Sequence, residues 1–236
     1  MNPVVNVPPA MSTLERFLFS FFNPEIAGRY WKAIAEGMLL TTWLGITVII
    51  TGLVVGLTLA MARAQHVKPL NFCIIVFADA FRALPPLVII IILFFAFPYI
   101  QMSMSAFTAT WLALSLVLAA FAEEIFWAGI LAVPKGQWEA ARSTGMSRLE
   151  ALQYVVLPQA VRMTVPPLTN RVMAITKGTA LGSVVALHEI LNVSSSASSE
   201  SGNATPLVVG ALAYLILFIP FVWFGRWIET RFAWKR

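Results

Sequence analysis

Long apolar stretches dominate this chain and constrain its fold more than any other feature. Five windows, bounded by charged residues, prolines and polar clusters, cover residues 37–62, 70–99, 105–133, 160–187 and 206–227. Each reaches about 20 residues or more, the length that an α-helix needs to cross the hydrocarbon core of a bilayer. Only 11% of the residues are charged, against roughly 25% in soluble domains. The sequence therefore predicts an all-α integral membrane protein with about five transmembrane helices.

Two of these windows contain residues that predict local structure. The second holds Pro85 and Pro86, which lack the backbone N–H donor, so we expect its helix to kink or break there. Asp79 and Arg82 precede the prolines, and we expect them to form a structural or interfacial pair near the cytoplasmic end of that window. In the first window, Gly52 and Gly56 have the G-x-x-x-G spacing that permits close approach of another helix.

The distribution of basic residues predicts the orientation of the chain, because cytoplasmic loops carry an excess of Lys and Arg. The segments after the first, third and fifth windows hold the basic residues Arg63, Lys68, Lys135, Arg142, Arg148, Arg226, Arg231, Lys235 and Arg236. The loops around 98–106 and 192–205 contain none. We therefore expect the N-terminus outside and the C-terminus in the cytoplasm, although Arg16, Arg29 and Lys32 precede the first window. The net charge of +5 then needs no nucleic-acid partner, and membrane lipid surrounds the chain.

Three regions follow from this pattern. Residues 1–36 are expected to be an N-terminal tail, with a short helix from Leu14 to Phe22 lying at the membrane surface, since it combines charged and large apolar residues. Residues 37–227 form the transmembrane domain, and 228–236 form a basic cytoplasmic tail. The Ser-rich stretch 194–203 is expected to be a flexible loop on the outside.

A polar stretch interrupts the apolar chain between the third and fourth windows, at about 134–158, on the predicted cytoplasmic side. The helix-forming sequence GQWEAAR is followed by Gly145, which is suited to end a helix in a left-handed conformation. Ser147 and Glu150 match a capping box that begins a second helix, and Pro158 is expected to end or bend it. The stretch therefore predicts a rigid elbow of two short helices, which is suited to contact another protein.

This elbow resembles the EAA loop in the membrane subunits of bacterial binding-protein-dependent ABC importers. The matching residues are Glu139, Ala140, Ala141, Gly145, Leu157 and Pro158. Within that family the chain is most similar to the polar amino acid permeases, whose strings resemble EEIFWAGILAVPKGQWEAAR, VPPLTN and KGTALGSVV here. The resemblance implies a methionine-importer-type permease fold in the bacterial inner membrane, with an amino acid or a related compound such as an opine as substrate.

The resemblance also implies the partners. The elbow would be a coupling helix that contacts a cytoplasmic ABC ATPase dimer through the six matching residues. A second permease subunit, either the same chain or a homologous sister, and a periplasmic or lipid-anchored solute-binding protein would complete the assembly. ATP and Mg would be bound by the ATPase, and this chain is expected to bind no cofactor. The chain itself contains no G-x-x-x-x-G-K-[ST] loop that would cradle phosphates.

Charged residues inside the apolar windows are costly and tend to line pathways or to pair with one another. Glu123 and Glu124 lie in the third window, and Lys177 lies in the fourth beside Thr179. A lysine and a carboxylate that face one cavity could bind both ends of a zwitterionic amino acid, so these four residues are the candidate substrate path. The alternative is that Lys177 and a glutamate form an interhelical ion pair that fixes the packing.

Two other classes of function remain to be weighed against an importer. A membrane enzyme would need a catalytic set of residues, but the chain has two His and one Cys, and no metal site is expected. A carrier driven by an ion gradient would need repeats or oligomerisation to enclose a path in so short a chain. We therefore expect a transporter subunit that is not itself an enzyme.

Overall fold

Residues 12–232 are described by a computed structural model, and this part of the chain is helical throughout apart from short connections. The α-helices are α1 (Thr13–Phe21), α2 (Pro24–Arg63), α3 (Lys68–Ala83), α4 (Pro86–Ile91), α5 (Ala106–Ala132), α6 (Lys135–Ser143), α7 (Arg148–Glu150), α8 (Leu157–Lys177), α9 (Ile190–Ser201) and α10 (Thr205–Phe232). π-helical turns cover Ile92–Ala96 and Ala151–Val156, and 3₁₀ segments cover Phe97–Ile100 and Gly178–Val185. The all-α expectation is confirmed for the described residues.

Three helical segments are long and apolar enough to cross a membrane, or four if the bent pair α3–α4 counts as one span. The first of these combines α1 and α2, and the others are α5 and α10. The predicted fourth window corresponds to α8 and the 3₁₀ segment after it. With 21 residues, α8 is about 31 Å long, but Arg162, Arg171 and Lys177 lower its hydropathy. The expected number of spans therefore fits roughly.

The N-terminal helices begin at capped residues. Ser12 and Glu15 form a capping box that begins α1, and Leu14, Phe17 and Leu18 of this helix are exposed. The Asn23 side chain accepts hydrogen bonds from the next backbone N–H groups, and Pro24 occupies the first turn of α2. The first long helix therefore starts within the predicted tail 1–36 rather than at residue 37, because the cap lies there.

The centre of the bundle is the contact between α2 and α5, which Gly52 and Gly56 make possible. A Cβ atom on Gly56 would lie 2.6 Å from the Ala122 Cβ and 2.8 Å from the Ala119 carbonyl oxygen. A Cβ on Gly52 would lie 2.6 Å from Leu118 Cγ. The G-x-x-x-G interpretation is therefore confirmed, because both glycines let the two backbones approach closely.

The second window is broken where the prolines predict it. α3 ends at Ala83, Leu84 is extended with φ −83° and ψ 133°, and α4 begins at Pro86. The two parts are bent by 101°. A residue before proline avoids the helical conformation for steric reasons, so the break follows directly from the sequence.

Pro158 does not end the helix, so this part of the expectation that it ends or bends the helix is wrong. The chain stays helical from Arg148 to Lys177, because a π-helical turn, Ala151–Val156, lies just before Leu157 and Pro158. A π turn adds one residue to the helical ladder, and such a local change of hydrogen bonding accommodates a proline that cannot donate to the carbonyl four residues back. The second helix of the elbow is thus continuous with α8.

The expectation of a flexible loop at 194–203 is also wrong. Most of it belongs to α9, which Glu189 caps by accepting from the N–H groups of Leu191 and Asn192. Ser194 and Ser201 are buried and donate to carbonyls of their own helix. Serine hydroxyls can be satisfied in this way inside a helix, so serine content alone did not indicate a loop. The helix ends at Gly202, which is left-handed with φ 63°.

Candidate functional site

The first half of the elbow is α6. Pro134 precedes it and accepts a hydrogen bond from the Gln137 N–H. Ala141 is buried on the side that packs against the π-helical turn, whereas Glu139 and Ala140 are exposed. Gly145 follows with φ +90°, and a Cβ there would meet nothing within 4 Å. The glycine is therefore required by backbone conformation rather than by space, as the sequence predicts.

The second half of the elbow begins at the expected capping box. The Ser147 N–H donates to the Glu150 carboxylate at 2.7 Å, and the Glu150 N–H donates to the Ser147 hydroxyl at 3.3 Å. Hydrogen bonding from the side chain of Ser147, and then from its backbone N–H, lowers the pKa of Glu150. Leu152 and Val156 are fully buried against the bundle. The elbow is therefore attached through this half and projects through α6.

The outward surface of the elbow carries both charge and aromatic side chains. A groove of about 510 Å³ lies between α6 and the ends of α2 and α5, and its lining includes Lys135, Trp138 and Arg142. The Arg148 guanidinium lies 5.9 Å from the centre of the Trp138 ring. Of the two remaining EAA-type residues, Leu157 is partly buried and Pro158 is exposed. Of the six residues, Glu139, Ala140, Ala141 and Gly145 thus belong to the projecting part of the elbow, and Leu157 and Pro158 lie where it joins α8.

Glu123 is fully buried and is paired with Arg63. The Arg63 guanidinium donates to both carboxylate oxygens of Glu123, at 3.1 and 3.3 Å. The same guanidinium lies 4.8 Å from the centre of the Trp127 ring. Glu123 lies nine residues before Ala132, the end of α5, which is about 14 Å along the helix axis. The carboxylate therefore joins α2 to α5.

Glu124 faces a different neighbour. It forms an ion pair with Arg82 of α3, which also lies 3.7 Å from an Asp79 carboxylate oxygen. The Glu124 side chain is 45% exposed and that of Asp79 is 69% exposed. The expected pairing of Asp79 with Arg82 is present, but its stronger partner is Glu124. Arg82 lies fourteen residues after Lys68, about 21 Å along α3 and one residue before that helix ends.

Arg171 is a charged residue at similar depth that the sequence interpretation missed. Its guanidinium carbon lies 3.7 Å from the centre of the Phe121 ring, and the Arg82 guanidinium carbon lies 5.7 Å from that same ring. Among residues 12–232, no carboxylate lies within ion-pair distance of Arg171. Its occurrence inside the fourth apolar window, as with Lys177, was the signal available in the sequence. Arg63 was also missed as a partner, because it lies at a helix end and looks like an ordinary topology signal.

Lys177 and Thr179 lie apart from both glutamates. Lys177 is exposed and lines a groove of about 540 Å³ between α8 and α10, together with Tyr214, Trp223 and Arg226. Thr179 is fully buried, and its hydroxyl donates to the Thr176 carbonyl at 2.8 Å. The two glutamates pair with arginines of α2 and α3, so in this structure neither glutamate forms an ion pair with Lys177.

Comparison with known proteins finds relatives that are permease proteins of transport systems. The L-cystine transport system permease protein TcyB of Bacillus subtilis is 38% identical over 161 residues, which cover 68% of this chain and 69% of TcyB. The probable amino-acid ABC transporter permease protein YckA of the same organism is 31% identical, covering 90% of this chain and 94% of YckA.

Solved structures agree with these relatives. A crystal structure of an amino acid ABC transporter with histidines superposes with a TM-score of 0.77 at 28% identity, covering 86% of this chain and 95% of that one. An inward-facing MetNI methionine ABC transporter has a TM-score of 0.62 at 19% identity, covering 94% of this chain and all of the other, which supports the fold.

The family comparison covers most of the chain. Residues 52–234 match the family described as binding-protein-dependent transport system inner membrane component. This range contains the elbow, both buried and exposed ion pairs, and the two grooves. The chain therefore belongs to the family of binding-protein-dependent transport system inner membrane components.

Proposed function

We propose that this chain is the membrane subunit of an ATP-driven importer that moves polar amino acids or related compounds into the cytoplasm. The observation that carries the proposal is the elbow, a capped and exposed projection whose shape depends on Gly145 at φ +90°. The names of the relatives, which include permeases for L-cystine and glutamine, support an amino acid as substrate. In this proposal the chain carries no catalytic site of its own.

The elbow is the surface that contacts the ATPase. Glu139 and Ala140 face outward and Ala141 packs inward, so α6 presents one face while its other face is fixed to the bundle. Gly145 sets the angle between α6 and the second helix, and the segment at Leu157 and Pro158 joins that helix to α8. Movement of a bound cytoplasmic ATPase dimer, which holds ATP and Mg, would thus be transmitted to the membrane helices.

The membrane orientation in this proposal has the N-terminus outside and the C-terminus in the cytoplasm. The elbow and Arg63 then lie on the cytoplasmic side, while α9 and the turn after it face the periplasm, where a solute-binding protein delivers substrate. The Asn203 side chain donates to the Phe19 carbonyl at 2.9 Å, which ties α1 to this outer side. The exposed apolar face of α1 supports its expected position at the membrane surface.

The substrate path is proposed to lie between this chain and a second permease subunit, because ionisable side chains at membrane depth avoid lipid. Lys177 is exposed and Glu124 is half-buried on the isolated chain, and both remain candidates for lining it. Glu123 and Thr179 are fully buried and would support the path from behind. If the Lys177→Met variant transports with unchanged rate and substrate preference, Lys177 has no place in the path.

The decisive experiment uses the complex purified in mild detergent and reconstituted into proteoliposomes with its ATPase and binding protein. Uptake of L-cystine, L-glutamine and L-arginine should require internal ATP and the binding protein. Gly145→Ala should reduce co-purification of the ATPase, because alanine disfavours positive φ by about 1–2 kcal/mol. Gly136→Ala is the matched control, since Gly136 is also in the elbow with nothing within 4 Å of a Cβ but needs no positive φ.

The alternative function has a distinct outcome in the same experiment. Uptake that continues without ATP and collapses when an ion gradient is dissipated would identify a secondary carrier and overturn the proposal. Equal loss of the ATPase in both glycine variants would show that the left-handed residue is not what shapes the docking surface.

A further inference from the structure

Four charged side chains from three helices lie close together around Phe121. Arg82 is paired with Glu124 and lies near Asp79, and both Arg82 and Arg171 lie over the Phe121 ring. We call Asp79, Arg82, Glu124 and Arg171 the Phe121 cluster. Two carboxylates and two guanidinium groups make its formal charge zero.

The members of the Phe121 cluster lie at similar distances from one end of their helices. Phe121 lies eleven residues before the end of α5 at Ala132, about 17 Å along the axis, and Arg171 lies thirteen residues after Pro158 in α8, about 20 Å. Arg82 lies about 21 Å along α3. A hydrocarbon core is about 30 Å thick, so a helix that crosses it from one of these ends would carry its position in the middle part.

The backbone next to the cluster is also irregular. α3 ends one residue after Arg82, and the chain turns by 101° into α4. Irregular backbone at membrane depth is tolerated where it is buried in protein or lines a water-filled cavity. The exposed Asp79 carboxylate beside this break excludes contact with lipid tails, because an unshielded charge in hydrocarbon is costly. The cluster therefore faces an aqueous path or a second subunit.

The charges within the cluster are separated rather than fully paired. Arg82 is the ion-pair partner of both carboxylates, so the group of Asp79, Arg82 and Glu124 has a formal charge of about −1. Arg171 has no carboxylate within ion-pair distance among residues 12–232 and lies against an aromatic ring instead. A guanidinium stacked on a ring keeps its N–H donors available at the ring edge for a carboxylate.

We propose that the Phe121 cluster binds the zwitterionic head group of an α-amino acid in transit, with Arg171 binding the α-carboxylate and the Asp79–Glu124 side binding the α-ammonium. This inference rests on the proposed function and names the part of the substrate that the path recognises. A neutral set of charges matches a zwitterion without transferring net charge into the bilayer. An arginine also discriminates in favour of carboxylates, because its fork of N–H groups can donate to both carboxylate oxygens.

The test uses the whole complex in proteoliposomes at saturating substrate-loaded binding protein, with L-cystine, L-glutamine and L-arginine as probes. Two rates are measured, uptake and stimulated ATP hydrolysis. Arg171→Met should lower uptake roughly tenfold or more, the effect of losing one charge-assisted hydrogen bond. Stimulated ATP hydrolysis should change less than about twofold, since the elbow is untouched. Arg171→Lys, which keeps the charge, should restore part of the uptake.

Matched variants distinguish this role from a general structural one. Asp79→Asn should also reduce uptake, because it removes the negative charge of a carboxylate that is proposed to bind the α-ammonium group. Arg162→Met removes an exposed guanidinium from the same helix, nine residues nearer the elbow, and should leave both rates unchanged.

Each outcome bears on the proposal separately from the importer function. If wild type shows no ATP-dependent uptake, the proposed function fails and the cluster proposal with it. If wild type transports and Arg171→Met transports equally well, the cluster proposal alone is overturned. It is also overturned if Arg171→Met loses the second permease subunit on purification, since Arg171 then pairs across the subunit interface.

Discussion

Substitution of Gly56 by alanine should weaken the contact on which the bundle is built. The new Cβ would lie 2.6 Å from the Ala122 Cβ and 2.8 Å from the Ala119 carbonyl oxygen, whereas carbon atoms in contact lie about 3.5–4.0 Å apart. α2 and α5 must therefore separate by about 1 Å. Overpacking of this kind costs about 1–3 kcal/mol, and the helix propensity of alanine offsets about 1 kcal/mol of it.

The matched control is Gly28→Ala in the same helix, where a Cβ would meet nothing within 4 Å. This change should stabilise the protein by about 0.5–1 kcal/mol, because only the propensity term acts. Both variants are compared with wild type by the midpoint of thermal unfolding in detergent, read from the monodisperse fraction after heating. The midpoint should fall for Gly56→Ala and rise for Gly28→Ala. If both variants raise the midpoint equally, α2 and α5 do not approach as closely as described.

Three further predictions follow from the charged residues. Arg63→Met should destabilise the protein by about 3–5 kcal/mol, because it leaves the buried Glu123 without its partner. The double variant Arg63→Met/Glu123→Met should recover most of that stability. Additive effects of the two substitutions in a double-mutant cycle would refute the pairing. Arg82→Met should leave the Glu124 carboxylate available to water and lower uptake, and unchanged uptake would show that this pair is dispensable. The pKa of Glu150 is lowered in the folded protein. The capping box therefore contributes stability above the unfolded pKa of Glu150 and loses this contribution as the pH falls through the folded pKa. Amide exchange at Ser147–Ala151 should differ between wild type and Glu150→Gln at neutral pH, and the two rates should converge in acid.

Local signals were read correctly from the sequence where one or two residues dictate the backbone. Pro85 and Pro86 break the second window, Ser147 and Glu150 form a capping box, and Gly145 is left-handed, because each effect acts within a few residues. Tertiary partners were not readable in this way. Glu123 pairs with Arg63, sixty positions away in the chain, and no periodicity in either helix specifies that distance.

Two errors have a common physical origin in hydrogen bonds that helices make with themselves. Pro158 was expected to end or bend the second helix of the elbow, but the helix continues because the preceding π turn accommodates the missing donor. Serine composition suggested a loop at 194–203, but the hydroxyls of Ser194 and Ser201 bond within α9. An ion pair between Lys177 and a glutamate is absent for a different reason, because arginines of α2 and α3 pair with both carboxylates; a shared cavity for these residues stays a prediction.

The π-helical turn Ala151–Val156 also sets the rotational phase between the elbow and α8. One residue of an α-helix corresponds to about 100° of rotation about the helix axis. The single extra residue of the turn therefore sets the rotation of α8 relative to the elbow. Deletion of one residue in the turn would leave the sequences of α6 and α8 unchanged. It would still rotate the elbow and Arg171 relative to each other by about 100°. In this protein the alignment of the elbow with Arg171 thus depends on a single residue of the turn.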